Sequence, residues 1–246
     1  MVVEVIFELV EDTAKLTLIV ACLYLALGAY VRRKQPNWSE PLEKRRLVVL
    51  CVLVLGVTVL KVTEDVLGGE SGPFDETILV FIHGHVSPRL TGFFEAVSLS
   101  GSATVMVPLT IITGIVLLLA KRRIEASLVI ASVTSAAAVV YVLKTVVGRS
   151  RPTLWQTEWY WGSSFPSGHT LVVTAFATAV VLCISRIVPA ARGVALSVAL
   201  LWIMLIAGSR MVLGVHWPTD VLAAACIGAM LPLVIKVVFE LRHRQS

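Results

Sequence analysis

Three short segments in the second half of the chain carry charged side chains at spacings suited to binding and transferring a phosphoryl group. They are Lys144 followed by Arg151-Pro152, then Phe165-Pro166-Ser167-Gly168-His169, and then Ser209-Arg210 followed by His216 and Asp220. Lysine and arginine can surround the non-bridging oxygens of a phosphoryl group and neutralise the charge of its transition state. Arginine binds two oxygens with a planar fork, whereas lysine acts as a point charge. Lys144, Arg151 and Arg210 are therefore candidate phosphate ligands.

The second segment predicts a helix start that can bind an anion. Proline suits the first turn of a helix and serine caps it, so Pro166 and Ser167 favour a helix that begins here. The first turn presents free backbone N–H groups and the positive end of the helix dipole, and Gly168 permits close approach of a ligand. The Ser167 hydroxyl can add one more donor to the same anion.

Two histidines and a carboxylate complete the set. His169 and His216 can supply covalent and proton chemistry, and Asp220 can orient one of the two rings. Each segment alone has a simpler explanation: Lys144 as a snorkelling helix terminator, Pro166–Gly168 as an ordinary helix start, and His216 as an interfacial loop residue. The charge pattern described below, which is independent of these residues, places all three segments on one side of a membrane and so favours a shared site.

The composition predicts a polytopic membrane protein. The chain has 246 residues, of which 57% are hydrophobic and 15% charged, with a mean hydropathy of +0.87. A soluble protein carries about 25% charged residues, and a spanning helix needs about 20 mostly apolar residues. Seven runs lack Asp, Glu, Lys and Arg: Leu16–Val31, Leu47–Leu60, Ala96–Ala120, Ala126–Leu143, His169–Ser185, Gly193–Ser209 and Val221–Ile235. These numbers predict an all-α helical bundle in the membrane and exclude disordered, collagen-like and secreted disulfide-rich classes.

The basic residues predict how the chain is oriented. If the 32–46 connection is cytoplasmic, fourteen of the 21 basic residues lie inside and twelve of the 16 acids lie outside. That bias follows the positive-inside rule, so the net charge of +5 reflects cytoplasmic loops and not a nucleic-acid partner. Seven basic residues remain outside: Lys15, Lys61, Arg89, Lys144, Arg149, Arg151 and Arg210. Four of these crowd the ends of the fourth and sixth spans, where an anionic ligand would explain them.

The connecting segments carry weaker signals. We expect 36–41 to be a polar inner linker, 64–73 an outer loop, and 78–97 one or two helices on the outer surface that include the surface residues His83 and His85. The four cysteines lie in apolar runs and are expected to be apolar packing residues: Cys22, Cys51, Cys183 and Cys226. Four aromatic residues between the first two segments predict either an interfacial belt or a lid for a lipid headgroup: Trp155, Trp159, Tyr160 and Trp161.

The three segments together resemble the signature of the type 2 phosphatidic acid phosphatase superfamily, which reads K-x6-R-P, P-S-G-H and S-R-x5-H-x3-D. The resemblance implies a phosphohistidine mechanism that uses no metal and no cofactor. His216 would attack phosphorus, Asp220 would hold its ring in the right tautomer, and His169 would protonate the leaving oxygen and then activate water. The residues that would bind the phosphate are Lys144, Arg151, Ser167, Gly168 and Arg210. Arg149 is outside the signature, and we expect it to help at the phosphate site or to contact a headgroup.

The resemblance also implies a domain organisation. A six-helix phosphatase core would cover residues 44–239, preceded by an N-terminal helix and cytoplasmic linker at 1–43 and followed by a basic cytoplasmic tail at 240–246. The N-terminal helix is an addition to the six-helix pattern. Whether it crosses the membrane or lies on it does not change the predicted side of the site.

These observations lead to one main functional hypothesis and two alternatives. The main one is an integral membrane phosphatase, of prokaryotic inner-membrane type, that removes phosphate from a phospholipid or isoprenoid lipid at the outer (periplasmic or extracellular) face. Candidate substrates are phosphatidic acid, phosphatidylglycerol phosphate and undecaprenyl diphosphate. A lipid phosphotransferase could use the same intermediate, and a non-enzymatic anionic-lipid transporter could use the same cations. A transporter, however, has no need of a nucleophilic histidine with its own carboxylate.

Overall fold

The computed structural model describes residues 2–155 and 162–243, and within these ranges the chain is helical without a strand. The ten α-helices are α1 Val2–Lys34, α2 Pro36–Lys44, α3 Arg46–Gly68, α4 Gly72–His85, α5 Thr91–Ser100, α6 Ala103–Leu119, α7 Arg123–Val147, α8 Gly168–Ile187, α9 Arg192–Val212 and α10 Pro218–His243. Short 3-10 turns at Pro88–Leu90 and Pro189–Ala191 precede α5 and α9.

Most of these helices are long and apolar enough to cross a membrane. In the described part of the chain, six qualify individually: α1, α3, α7, α8, α9 and α10. A seventh span is formed if α5 and α6, which meet at a bend of 42°, are taken as one. The prediction of an all-α polytopic bundle is therefore confirmed. The uninterrupted run predicted at 96–120 is instead broken at Gly101 and Ser102.

Helix α8 lies at the centre of the bundle. Half of its spanning segment is buried inside the protein, against 11% for the spanning segments of α1, α3 and α9. It packs against α7, α9 and α10. The contact with α10 is close at Gly228, where a Cβ atom would lie 2.6 Å from the Leu171 carbonyl oxygen. Small residues allow such backbone approach between membrane helices, so the start of α8 is held on a well-packed element.

The break between α5 and α6 also lies against the core. A Cβ on Gly101 would lie 3.0 Å from Ile206 on α9 and 3.1 Å from Val173 on α8. Ser100, directly before the break, accepts a hydrogen bond from the Trp202 indole at 3.0 Å. The bend therefore lies in contact with both helices.

Two predicted connections are more helical than expected. The predicted outer loop at 64–73 is reduced to Gly69, Glu70 and Ser71, because α3 continues to Gly68 and α4 begins at Gly72. Gly69 ends α3 in a left-handed conformation with φ of 78°, which glycine adopts without strain. The predicted linker at 36–41 forms α2, which has proline in its first turn. Helix α4 packs on α9 and α10, and its Leu79 is fully buried, so it is more than a surface helix.

The basic connections meet at one end of the bundle. Arg45, between α2 and α3, forms an ion pair with Glu240 near the end of α10. Arg186 at the end of α8 lies 3.6 Å from Glu125 at the start of α7. This end is opposite the one at which α8 and α10 begin.

Candidate active site

The chain topology brings the three signature segments to one end of the bundle. Helices α7 and α9 end where α8 and α10 begin, because consecutive helices run in opposite directions. Lys144 lies in the last turn of α7, His169 in the first turn of α8, Arg210 in the last turn of α9 and Asp220 in the first turn of α10. His216 lies in the short connection between α9 and α10.

His216 and Asp220 form a buried pair. Their exposed fractions are 2% and 0%, and His216 Nδ1 lies 3.5 Å from Asp220 Oδ2. This separation exceeds that of a full hydrogen bond, yet Nδ1 has no hydrogen-bond partner elsewhere among the described residues. Asp220 Oδ2 also accepts a hydrogen bond of 2.9 Å from the Trp217 backbone N–H. The carboxylate of Asp220, the third residue of α10, thus accepts from the backbone N–H of Trp217, the residue before the helix, as in a capping box.

Arg151 lies at the other edge of the His216 ring. Its Nη1 donates to the Val215 carbonyl at 2.8 Å and lies 3.5 Å from His216 Nε2. A guanidinium can only donate, so the ring nitrogen that faces it carries a lone pair. The proton of a neutral ring then belongs on Nδ1, the nitrogen that faces Asp220.

Burial keeps the His216 ring neutral. Desolvation lowers the pKa of His216 to about 4; Asp220 raises it, and the positive charges of Arg210 and Arg151 lower it further. At neutral pH the ring is therefore uncharged, and Nε2 keeps the lone pair that a nucleophile needs.

Cationic side chains surround this ring. Arg210 is 1% exposed and donates to the Ser98 hydroxyl on α5, and Lys144 donates to the Ser163 carbonyl. Arg210, Arg151 and Lys144 all act electrostatically on His169. Three cations thus lie around the two imidazole rings, which is an arrangement suited to an anion of multiple charge.

The start of α8 adds backbone donors to the same place. Ser167 is the residue before the helix, is fully buried, and lies with Oγ 3.1 Å from Thr170 Oγ1. Its backbone N–H donates to the Asp220 carbonyl at 3.2 Å, so α8 and α10 begin side by side. Gly168 opens the helix, and a Cβ there would meet Val140 at 3.4 Å. The positive end of α8 therefore faces the region of the three cations.

Arg149, expected to help at the phosphate site or to contact a headgroup, lies between two carboxylates. Its Nη1 donates to Asp220 Oδ1 and its Nη2 to Asp75 Oδ2, both at 2.6 Å. Its guanidinium carbon also lies 5.5 Å from the centre of the Trp217 ring. With carboxylates on both amino groups, this side chain holds Asp220 in place.

Sequence analysis missed four residues of this region. Asp75, which follows the predicted outer loop, is 0% exposed, and Ser71 and Thr219 beside it are 7% exposed. A signal existed, because Asp75 and Leu79 share one buried face of α4 and Ser71, directly before the helix, continues the same four-residue spacing. Because Ser71 and Asp75 are polar, a search for apolar residues at helical spacing does not detect this buried face. Ser98, the partner of Arg210, carried no signal of its own.

An aromatic stack covers the connection that carries His216. His83, expected to be a surface residue, is exposed but stacks on Trp155 with ring centroids 4.0 Å apart. The indole in turn leaves no room for a side chain at Gly214, where a Cβ would lie 2.5 Å from Trp155 Nε1 and φ is +65°. Trp159, Tyr160 and Trp161 lie outside the described residues, so the belt and lid hypotheses for that loop both stay predictions.

Comparison with known proteins relates the site-bearing half of the chain to one family. The fold and the site define a helical membrane protein with a cationic, histidine-containing centre at one end. The family model described as "PAP2 superfamily" matches residues 125–244. A crystal structure of a transmembrane PAP2-type phosphatidylglycerolphosphate phosphatase from Bacillus subtilis shares the fold, with a TM-score of 0.71 and 22% identity, over 77% of this chain and 96% of that one. Over residues 125–244, which hold the three signature segments, the chain is similar to the PAP2 superfamily.

Two curated proteins are similar in sequence. Phosphatidylglycerophosphatase B of Escherichia coli (strain K12) is 37% identical over 73 residues, which are 30% of this chain and 27% of that protein. The chain therefore matches about a quarter of the length of that relative. The undecaprenyl-diphosphatase of Sulfolobus acidocaldarius is 28% identical over 192 residues, which are 72% of this chain and 85% of that protein.

Proposed function

We propose that this protein is a membrane phosphatase that hydrolyses a lipid phosphate monoester or diphosphate through a phosphohistidine formed on His216. The observation that carries the proposal is the environment of the His216 ring and the charge that follows from it. The ring is buried and neutral, its Nδ1 faces Asp220, and its Nε2 faces the guanidinium of Arg151. A nucleophilic nitrogen directed at cations is what attack on a bound phosphate requires.

In the first step, the Nε2 lone pair of His216 forms a bond to phosphorus and the bond from phosphorus to the lipid oxygen breaks. With the anionic substrate bound, a protonated His169 donates its proton to that oxygen, so the lipid leaves as an alcohol, or as a lipid monophosphate when the substrate is a diphosphate. Lys144, Arg151 and Arg210 neutralise the charge on the three non-bridging oxygens, which is the role that a divalent metal has in kinases. The Gly168 amide and the Ser167 hydroxyl would add donors.

In the second step, water replaces His216 on phosphorus. His169, now neutral, accepts a proton from the attacking water, the P–N bond breaks, and inorganic phosphate is released. Asp220 balances the positive charge of the substituted ring through Nδ1–H in both steps. One histidine therefore serves as nucleophile and the other as acid and then base.

The position of the site and the names of the relatives support a lipid substrate. The site lies at the end of a bundle of membrane-spanning helices, where the headgroup of a lipid would be accessible while its chains stay in the bilayer. The names of the relatives, a phosphatidylglycerophosphatase and an undecaprenyl-diphosphatase, support lipid phosphates. Candidate substrates are thus phosphatidic acid, phosphatidylglycerol phosphate and undecaprenyl diphosphate.

We expect the purified protein to release inorganic phosphate from at least one of these three lipids in detergent micelles. Release should continue in EDTA, because side chains supply the positive charge. Vanadate, which adopts the five-coordinate geometry of the transition state, should inhibit it. Loss of release in EDTA with recovery on adding Mg²⁺ would contradict the mechanism. Transfer of the phosphoryl group to an added lipid or sugar acceptor in place of water would favour the phosphotransferase alternative.

We further propose that the site opens on the outer face of the membrane. The basic connections lie at the opposite end of the bundle, and such residues are retained in the cytoplasm. A reporter fused to the C-terminus should therefore be active as a cytoplasmic protein, and a reporter that needs export should be inactive there. The reverse result would place the site in the cytoplasm.

A further inference from the structure

A second buried carboxylate lies behind the proposed nucleophile. Asp75 projects from α4 onto the first turn of α10, 144 residues later in the chain. Its Oδ1 accepts from the Thr219 backbone N–H at 2.9 Å, and its Oδ2 accepts from the Thr219 hydroxyl at 2.6 Å. Backbone N–H groups in the first turn of a helix have no partner within the helix. Asp75 therefore caps α10 from another helix, directly beside Asp220.

Arg149 joins this carboxylate to Asp220. One amino group of its guanidinium donates to Asp220 and to the Thr219 hydroxyl, and the other donates to Asp75 and, at 3.0 Å, to the Ser71 hydroxyl. The side chain of Arg149 is only 13% exposed, and both carboxylates are fully buried. The guanidinium of Arg149 is thus shared by two buried carboxylates, and each of them fixes its orientation.

These contacts determine how Asp220 faces the histidine. Its Oδ1 is held by Arg149, and its Oδ2 is held by the Trp217 backbone N–H. With one donor on each oxygen the carboxylate cannot rotate, so Oδ2 stays on the side of His216 Nδ1. If the carboxylate turned away, Nδ1 would lose its acceptor and the ring could place its proton on Nε2, where no lone pair would remain for attack.

We propose that Asp75 and Arg149 are positioning residues for the proposed reaction, acting through Asp220 to keep the proton of His216 on Nδ1. The proposal rests on the function proposed above. Neither residue belongs to the signature, and neither touches the reacting atoms. They act as outer partners that orient a catalytic group, which is a role whose loss lowers activity without preventing substrate binding.

Asp75→Asn is the variant that tests this role. Asn has nearly the same shape but only one acceptor oxygen, so its NH₂ group must face a donor, either Thr219 N–H or Arg149 Nη2. One of the two contacts then becomes repulsive. Removal of Arg149 is less informative, because it leaves two buried carboxylates without a cation and threatens folding. Asp65→Asn is the matched control, since Asp65 is partly exposed near the same end and its carboxylate pairs, among the residues that the structure describes, with Lys61 alone.

The first measurement is the tautomer of His216 in protein labelled with ¹⁵N-histidine. The signal of His216 is assigned by its disappearance in His216→Ala. We expect the Nδ1–H form in the wild type and in Asp65→Asn, and a mixture with the Nε2–H form in Asp75→Asn. This readout does not require turnover. An unchanged Nδ1–H form in Asp75→Asn would overturn the proposal, whatever the substrate of the protein.

The second measurement is a double-mutant cycle with Asp220→Asn on a lipid phosphate that the wild type hydrolyses. Asp75→Asn should lower kcat about 10- to 100-fold with KM within about twofold. In the Asp220→Asn background, Asp75→Asn should lower kcat by no more than about twofold, because Asp220, through which Asp75 acts, is already altered. The proposal would be overturned if the double variant lost kcat by the product of the two single losses. It would also be overturned if Asp75→Asn raised KM at constant kcat. A wild type that shows the Nδ1–H form but hydrolyses none of the lipids would instead refute the proposed function alone.

Discussion

Replacing His216 with alanine is expected to abolish phosphate release, with kcat reduced by roughly 10⁴-fold or more, as for other enzymes that lose a covalent nucleophile. The cations and the start of α8 would remain, because Arg151 and Arg210 also contact Val215 and Ser98. The variant should therefore still bind substrate and vanadate-like anions. Loss of turnover with binding retained is the pattern that separates a nucleophile from a phosphate ligand.

The measurement pairs turnover with detection of the intermediate. Protein mixed with ³²P-labelled lipid phosphate and quenched in alkaline denaturant should carry a labelled histidine in the wild type and no label in His216→Ala. His85→Ala is the control, since His85 is exposed on α4 and hydrogen-bonds only locally to the Phe81 carbonyl. It should match the wild type in both assays. Turnover by His216→Ala within tenfold of the wild type would refute the phosphohistidine mechanism.

The sequence predicted the membrane-spanning helices well because their signal is local. A run of about 20 apolar residues has few alternatives in a bilayer, where every backbone group must be bonded within its own helix. The bend at Gly101 had no such signal. It depends on Ile206 and Val173, which lie on helices far along the chain and leave no space for a Cβ at that position.

The site was predictable to the extent that its residues cluster in sequence. Lys144, Arg151 and Arg210 were predicted as cations on one side, and Arg149 was set apart from Arg151 by the signature alone. Without the signature, nothing in the sequence predicts the contacts of Arg149. These two arginines are two residues apart in one loop, and their directions depend on distant partners. Asp75, 74 residues before Arg149, draws one guanidinium towards the carboxylates. The Val215 carbonyl draws the other towards His216.

Replacing His169 with alanine is expected to reduce kcat/KM by an amount that depends on the leaving group. For a lipid alcohol, which leaves poorly without a proton, the loss should be about 10²- to 10⁴-fold. For an aryl phosphate such as p-nitrophenyl phosphate, whose leaving group is stable as an anion, the loss should be much smaller. His169 lies in the first turn of α8, directly after Ser167 and Gly168 and at the same end of the bundle as His216, which suits a group that acts on the leaving oxygen.

The second half of the reaction gives this variant a distinctive signature. Because His169 also activates the water that hydrolyses the phosphoenzyme, His169→Ala should still be phosphorylated by the aryl phosphate but should lose the phosphate slowly. Rapid mixing should then show a burst of about one p-nitrophenol per protein, followed by slow turnover and a stable ³²P label on His216. An equal loss of kcat/KM for alkyl and aryl phosphates, without a burst, would mean that His169 binds the phosphate and does not transfer the proton. The leaving-group dependence thus separates the acid role of His169 from the binding role of its cationic neighbours, which stabilise the same charge whichever group departs.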